Sequence, residues 1–211
     1  MEAVSQAMDV FHKGGPVMYL LVLCSLAVVA IGVERFLYFR ENTGDARTLR
    51  EAIRTALEQD DWAAALAACR HDRSLNACVA ARGIEGYMRR SRYSESVLEG
   101  EAALAAAKLR DNLHHLDTIV TMAPLLGLLG TVIGMIGSFS VLRVKTGQPL
   151  AITGGVGEAL IATAAGLCVA VLAMLVYSYF SHRLNRCITE LEETCTLIIS
   201  HVKMDKSHET A

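Results

Sequence analysis

Three stretches of the chain are apolar almost without interruption: Val17 to Val33, Ile119 to Leu142 and Ala159 to Ser181. Each approaches or exceeds the roughly 20 residues a helix needs to cross a hydrocarbon core of about 30 Å. The first is short, but Phe36, Leu37, Tyr38 and Phe39 prolong it past Glu34 and Arg35. Elsewhere apolar residues recur at helical spacing. Leu49, Ile53, Ala56 and Leu57 mark one short helix, and Trp62, Leu66 and Cys69 begin another after the Gln59-Asp60-Asp61 break. From Val97 the series Leu98, Ala102, Leu104, Ala105, Leu109, Leu113 and Leu116 leads unbroken into the second apolar stretch. Leu184, Ile188, Leu191, Cys195, Ile198 and Val202 prolong the third in the same way. The pattern predicts an all-α membrane protein with three transmembrane helices, two of them extended into the cytoplasm, plus small cytoplasmic helices.

The charged residues avoid the apolar stretches. Of 20 Lys+Arg and 22 Asp+Glu, Arg40 to Asp117 holds 12 and 13, and the tail from His182 holds 4 and 5. A formal net charge of -2 is too balanced for a nucleic-acid binder, which needs a basic excess to displace counterions from phosphates. A cleaved leader fits the first stretch poorly, because Glu34 and Arg35 follow it and no small-residue cleavage site stands clear of it. Arg35, Arg40, Arg47 and Arg50 flank its C-terminal side against Lys13 alone before it. The positive-inside rule therefore places the middle of the chain in the cytoplasm and the N-terminus outside. The expected organisation is an outer-face segment over 1–16, spans over 17–39, 119–142 and 151–181, a cytoplasmic helical region over 40–118, a short outer loop over 143–150, and a cytoplasmic amphipathic tail over 182–211. Arg143 and Lys145 run against this orientation and are outweighed by the flanks of the first span.

Little in the polar part carries chemistry. Cys24, Cys69, Cys78, Cys168, Cys187 and Cys195 form no CxxC pair and no zinc-ligand spacing. The neighbours His114 and His115 would point about 100° apart on a helix. No metal centre or cofactor is expected, and without a phosphate loop or a nucleophile–base motif no enzyme is expected either.

The membrane stretches are more informative. Gly127, Gly130, Gly134 and Gly137 form a stripe on the second, and Gly155, Ala159, Ala162, Gly166, Ala170 and Ala173 form one on the third. Hydrophobicity cannot drive association between helices already in lipid, so stripes that let backbones approach are the expected packing surface. They suit a hairpin within one chain and a ring of subunits equally. Glu158 opens the third apolar stretch, where a carboxylate costs roughly 2.5–3.5 kcal/mol even on lenient insertion scales. Thr163 stands about 140° round the same helix, and Thr131 and Ser138 mark one side of the second. These groups either line a narrow hydrated path, or Glu158 sits near the outer headgroups while the threonines bond back to their own helices.

The stretch Ala123-Pro124-Leu125-Leu126-Gly127-Leu128-Leu129-Gly130-Thr131-Val132, followed by Gly134 and Met135-Ile136, resembles the second-span signature of the MotA/TolQ/ExbB proton-channel family. The run Gly157-Glu158-Ala159-Leu160-Ile161-Ala162-Thr163-Ala164-Ala165-Gly166-Leu167 is similar to its third-span signature, and Glu34-Arg35 also fits. The resemblance implies a subunit of an ion-driven motor in the bacterial inner membrane. Three-span members form pentamers around a dimer of a single-span ExbD-, TolR- or MotB-like protein, whose transmembrane Asp carries the proton. A homopentamer and such a partner are thus implied, with a TonB-like protein as a further partner and lipid around the ring. Thr131, Glu158 and Thr163 match the family's polar pore positions, which makes the threonines a polar ring and Glu158 its electrostatic support. Proton flow then turns one ring against the other. The short connection and modest cytoplasmic segment fit ExbB-like members first, TolQ-like members second and the flagellar MotA type poorly. The choice between proton and sodium stays open. The residues also admit a different class: a non-conducting membrane scaffold or signalling protein, assembled through the small-residue stripes, that would tolerate loss of Glu158.

Overall fold

The computed structural model describes residues 15–89, 95–144 and 149–209, with only the backbone described at 95–97, 141–144, 149–153 and 205–209. The expected outer-face segment 1–16, apart from Gly15 and Pro16, and the middle of the expected loop 143–150 lie outside these residues. Seven α-helices and no strand occur among the described residues: α1 Val17–Asn42, α2 Ala46–Glu58, α3 Trp62–His71, α4 Leu75–Met88, α5 Glu95–Arg110, α6 Leu113–Val144 and α7 Pro149–Glu209. Of these, α1, α6 and α7 are long and apolar enough to cross a membrane. The protein is therefore an all-α membrane protein, as the hydropathy pattern predicts. It divides into two compact units, one of Met1–Val33 with Asn112–Tyr179 and one of Glu34–Asp111 with Phe180–Ala211.

In the first unit α6 runs antiparallel to α7, and α1 runs parallel to α7. Gly127 faces Thr163 while Gly134 faces Gly155, and Gly15 lies against Glu158 while Gly32 approaches Val176. Val17, Met18 and Leu21 of α1 are buried with Ala123 of α6 and Ala170 of α7. Between α6 and α7 small residues occupy the contact, α1 adds Val17, Met18 and Leu21, and many bulky side chains point outward. Leu23, Leu26, Leu125, Leu128, Ile136, Leu160 and Leu175 are all exposed. An apolar surface on that scale belongs against lipid or a neighbouring subunit rather than water. Pro124 lies within α6 and cannot donate to the carbonyl four residues back. Membrane helices tolerate such a proline where neighbouring helices or local adjustments satisfy the freed group.

The second unit is a cluster of helices around an apolar core. Ile53 of α2, Cys69 of α3, Ala77 and Ile84 of α4, Leu98 and Ala105 of α5, and Leu191 and Ile198 of α7 are buried together. Each short helix starts on an N-cap whose side chain accepts from free backbone N–H groups: Asp45 before α2, Asp61 before α3 and Ser74 before α4. Asp60, at φ 60°, ends α2 in a Schellman turn: its N–H donates to Leu57 and that of Asp61 to Ala56. The unbroken helix expected from Val97 into the second span is interrupted once. Asn112 adopts φ 60°, which asparagine tolerates better than most L-residues, so α5 stops at Arg110 and α6 starts at Leu113.

Burial decides which thiols of this unit can react. It pushes Cys69 up to about 12, with Asp72 adding to the effect, and Cys195 up to about 11, with Glu192 adding. Cys78 is exposed. Because the thiolate is the nucleophile, a maleimide at neutral pH should modify Cys78 within minutes, and Cys69 and Cys195 only after denaturation. Peptide mapping reads this directly, and equal labelling of Cys69 and Cys78 would contradict the packing.

Candidate functional site

The two small-residue stripes meet each other across α6 and α7. A Cβ on Gly127 would lie 3.1 Å from backbone atoms of Ala162 and Thr163, and one on Gly134 would lie 3.0 Å from the Gly155 carbonyl. At Gly166 it would lie 2.7 Å from the Ala123 carbonyl and 2.9 Å from the Gly127 α-carbon. The Ala162 methyl fills the space beside Gly130, and the Ser138 hydroxyl fills that beside Gly155, just below Ala159. Backbones this close permit the many small contacts that hold helices together in lipid. Gly137 is the exception, with nothing within 4 Å of its would-be Cβ. At 100° per residue it has drifted about 80° from Gly127, whereas Ser138 returns to within about 20°. Ser138 accordingly holds the seam, buried and donating to the Gly134 carbonyl at 3.0 Å.

The polar residues flank this seam on two sides. Thr163 Oγ1 crosses it to donate to the Gly127 carbonyl at 3.2 Å. Thr131, one turn beyond Gly127, donates to the Leu128 carbonyl of its own helix at 2.6 Å. Both threonines therefore lie along the edge that Gly127 marks. Gly130 turns toward the other edge, where a Cβ would approach Val17 of α1 at 3.7 Å. Glu158 belongs to that second edge. It is half-buried, and its carboxylate lies against Gly15, in the turn before α1 where φ is 69°. Any side chain at Gly15 would meet that carboxylate. Within one chain the structure brings Thr131 and Thr163 together and holds Glu158 apart from them.

The threonine edge carries hydroxyls and no fixed charge. A hydroxyl donates once and accepts twice, so Thr131 and Thr163 can still accept from water or from a protonated acid while donating to carbonyls. Glu158, on the opposite edge, can act on that surface of its own chain only through its field, which is stronger in a low-dielectric medium than in water.

One buried charge escapes sequence reading. Arg35, read there as a topology signal, is 3% exposed. Its Nε donates to Glu34 at 2.9 Å, its Nη1 donates to the Leu109 carbonyl at 3.4 Å, and its guanidinium lies 5.0 Å from the centre of the Tyr38 ring. Leu109 is in the last turn of α5, whose carbonyl end attracts a cation. Tyr38, three residues on, was the available signal. The rings of His114 and His115 lie 6.4 Å apart, and among the described residues no group of three or more His, Cys, Asp or Glu could hold a metal ion.

Fold and site together define a class: a membrane protein whose second and third spans form a glycine-lined hairpin bearing two threonines and one carboxylate. Comparison with known proteins places the chain in a family. The profile of the MotA/TolQ/ExbB proton channel family matches residues 71–193, and the chain belongs to that family of transport proteins. It is 34% identical over 179 residues to an ExbB-like biopolymer transport protein of Synechocystis sp., a match covering 81% of this chain and 68% of the relative. It is 33% identical over 146 residues to the biopolymer transport protein ExbB of Xanthomonas campestris pv. campestris, covering 65% and 56%. It is also 40% identical over 97 residues to the Tol-Pal system protein TolQ of Pseudomonas aeruginosa, 42% of each chain. The chain thus spans about half to two thirds of the length of the two ExbB-type relatives.

Proposed function

We propose that the chain is the pore-forming subunit of an ExbB/TolQ-like proton-driven motor in the inner membrane. It couples the proton motive force, with an ExbD/TolR-like partner, to TonB-dependent uptake or envelope processes. The observation that carries this is the shared edge of Thr131 and Thr163 on two interlocked membrane helices, in a chain of the proton channel family. The three apolar stretches contain no Asp, so the proton-carrying acid comes from a single-span partner dimer seated in a ring of five copies. The threonine edges face that partner and hold water or its protonated acid. Glu158 biases the local potential and with it the partner's pKa. The N-terminus lies outside, while 40–118 and 182–211 face the cytoplasm, consistent with the arginines that follow the first and third stretches.

Co-expression with a single-span protein bearing a transmembrane Asp, followed by native mass spectrometry, tests the assembly. Five copies of this chain with two of the partner are expected. A stable complex that excludes the partner would support the scaffold reading instead.

A further inference from the structure

We propose that the recess between the start of α2 and the stretch of α7 just past its apolar run binds the phosphate headgroup of an anionic membrane lipid. Thr43, Asp45 and Arg47 line it on one side, and Arg183, Arg186 and Glu190 on the other. All of these lie in the helical unit.

Placement points to a lipid as the source of the phosphate. Phe39 of α1 and Phe180 of α7 stack with ring centres 5.8 Å apart, and they end the apolar runs of their helices. Tyr38 and Tyr179 directly precede them, and amphipathic tyrosine rings at such ends sit at headgroup level. At about 1.5 Å per residue, Arg183 stands about 4.5 Å beyond this pair, Thr43 about 6 Å and Arg186 about 9 Å. The headgroup layer is about 5–7 Å deep on each side of the hydrocarbon, so Arg183 and Thr43 stand at the depth of lipid phosphates and Arg186 just outside them.

The charges suit the same ligand. Three guanidinium groups meet two carboxylates, and both carboxylates are engaged. Asp45 caps α2, and its bonds from the Thr48 hydroxyl and N–H hold it below the ordinary carboxylate range. Glu190 accepts from Arg186 Nε at 3.0 Å, which uses one of five guanidinium N–H groups. Arg183 and Arg186 both act on the Cys187 thiol, pulling down a pKa that burial raises. Both guanidinium-bearing residues line the recess beside Cys187. A planar guanidinium matches a phosphate bidentately, and Thr43 adds a hydroxyl beside Cys187.

The test uses the full chain purified in mild detergent. Retention of added phosphatidylglycerol and phosphatidylcholine is read by native mass spectrometry. Wild type should prefer phosphatidylglycerol, and the Arg47→Gln/Arg183→Gln variant should lose about fivefold in that preference per arginine removed. Arg82→Gln, which removes a distant cation paired with Glu101, should keep it. Arg183→Lys, which keeps the charge and the fold but not the fork, should weaken retention by less than the double variant. Equal retention of the two lipids would overturn the proposal, as would an unchanged preference in the double variant or in Arg183→Lys. A loss in Arg82→Gln as large as in the double variant would show general surface charge instead. Displacement by millimolar inorganic phosphate would show a site for free phosphate and also overturn it.

Discussion

Gly166→Val should abolish the packed α6–α7 hairpin, while Gly137→Val leaves it intact. At Gly166 even the first added carbon would stand 2.7 Å from the Ala123 carbonyl and 2.9 Å from the Gly127 α-carbon. Both are backbone atoms, so no side chain can rotate away and the helices themselves must part. Forcing extra carbon into a packed site costs about 1–3 kcal/mol, sometimes more. Parting α6 from α7 would also sacrifice contacts along the whole seam and lengthen the Thr163 to Gly127 hydrogen bond. At Gly137 nothing lies within 4 Å, so the same substitution strains nothing inside the chain. The readout is the yield of monodisperse protein after detergent extraction and its resistance to heat. Trp62 packs in the helical unit, so its fluorescence would miss the damage, and size-exclusion profiles are the better measure. Equal behaviour of the two variants would contradict the seam. A Gly137→Val chain that folds but no longer assembles would instead place Gly137 between subunits.

Thr131→Val, Thr163→Val and Glu158→Gln should each leave a folded, assembled protein that conducts poorly. The bond from Thr163 to the Gly127 carbonyl is of a kind worth on average about 0.6 kcal/mol between membrane helices, too little to unfold the hairpin when valine keeps the shape. Thr131 bonds within its own helix, so its removal costs still less. Glu158→Gln removes a half-buried charge and keeps the shape, so insertion should not suffer. Any loss of flux therefore reports on the path rather than the fold. A tenfold loss corresponds to about 1.4 kcal/mol in the barrier, and each substitution is expected to reach at least about that size. Because Thr131 and Thr163 share an edge, the double threonine variant should be little worse than either single one. Glu158→Gln acts from the other edge and should add to both.

The sequence shows some of this plainly and hides the rest for identifiable reasons. Apolar stretches as long as Ile119 to Leu142 have few stable solutions other than a membrane helix, so the three spans are legible. Glu158 is legible as the exception within one of them. Helical periodicity also predicts that Gly127, Gly134 and Gly166 share packing faces. It gives angles round a single axis and no more, so it cannot show that Thr163 reaches across to α6 while Glu158 turns toward α1. The drift of Gly137 is within reach of the sequence, because summing 100° per residue turns it about 80° from Gly127, but three- and four-residue steps look alike until that sum is made. The stop at Asn112 is invisible because the apolar rhythm from Leu109 to Leu113 continues straight through a two-residue turn. Arg35 reads as a loop-side charge, and only the folded chain sets it beneath the end of α5.

The most direct measurement is proton uptake into liposomes containing this chain with the proposed single-span partner, driven by an imposed potential. Wild type should acidify the lumen, while liposomes lacking the partner should not. The variant carrying Thr131→Val, Thr163→Val and Glu158→Gln together should fall to that partner-free baseline with its subunit count unchanged. Wild-type flux in that triple variant would contradict the assignment of Thr131, Thr163 and Glu158 to the proton path.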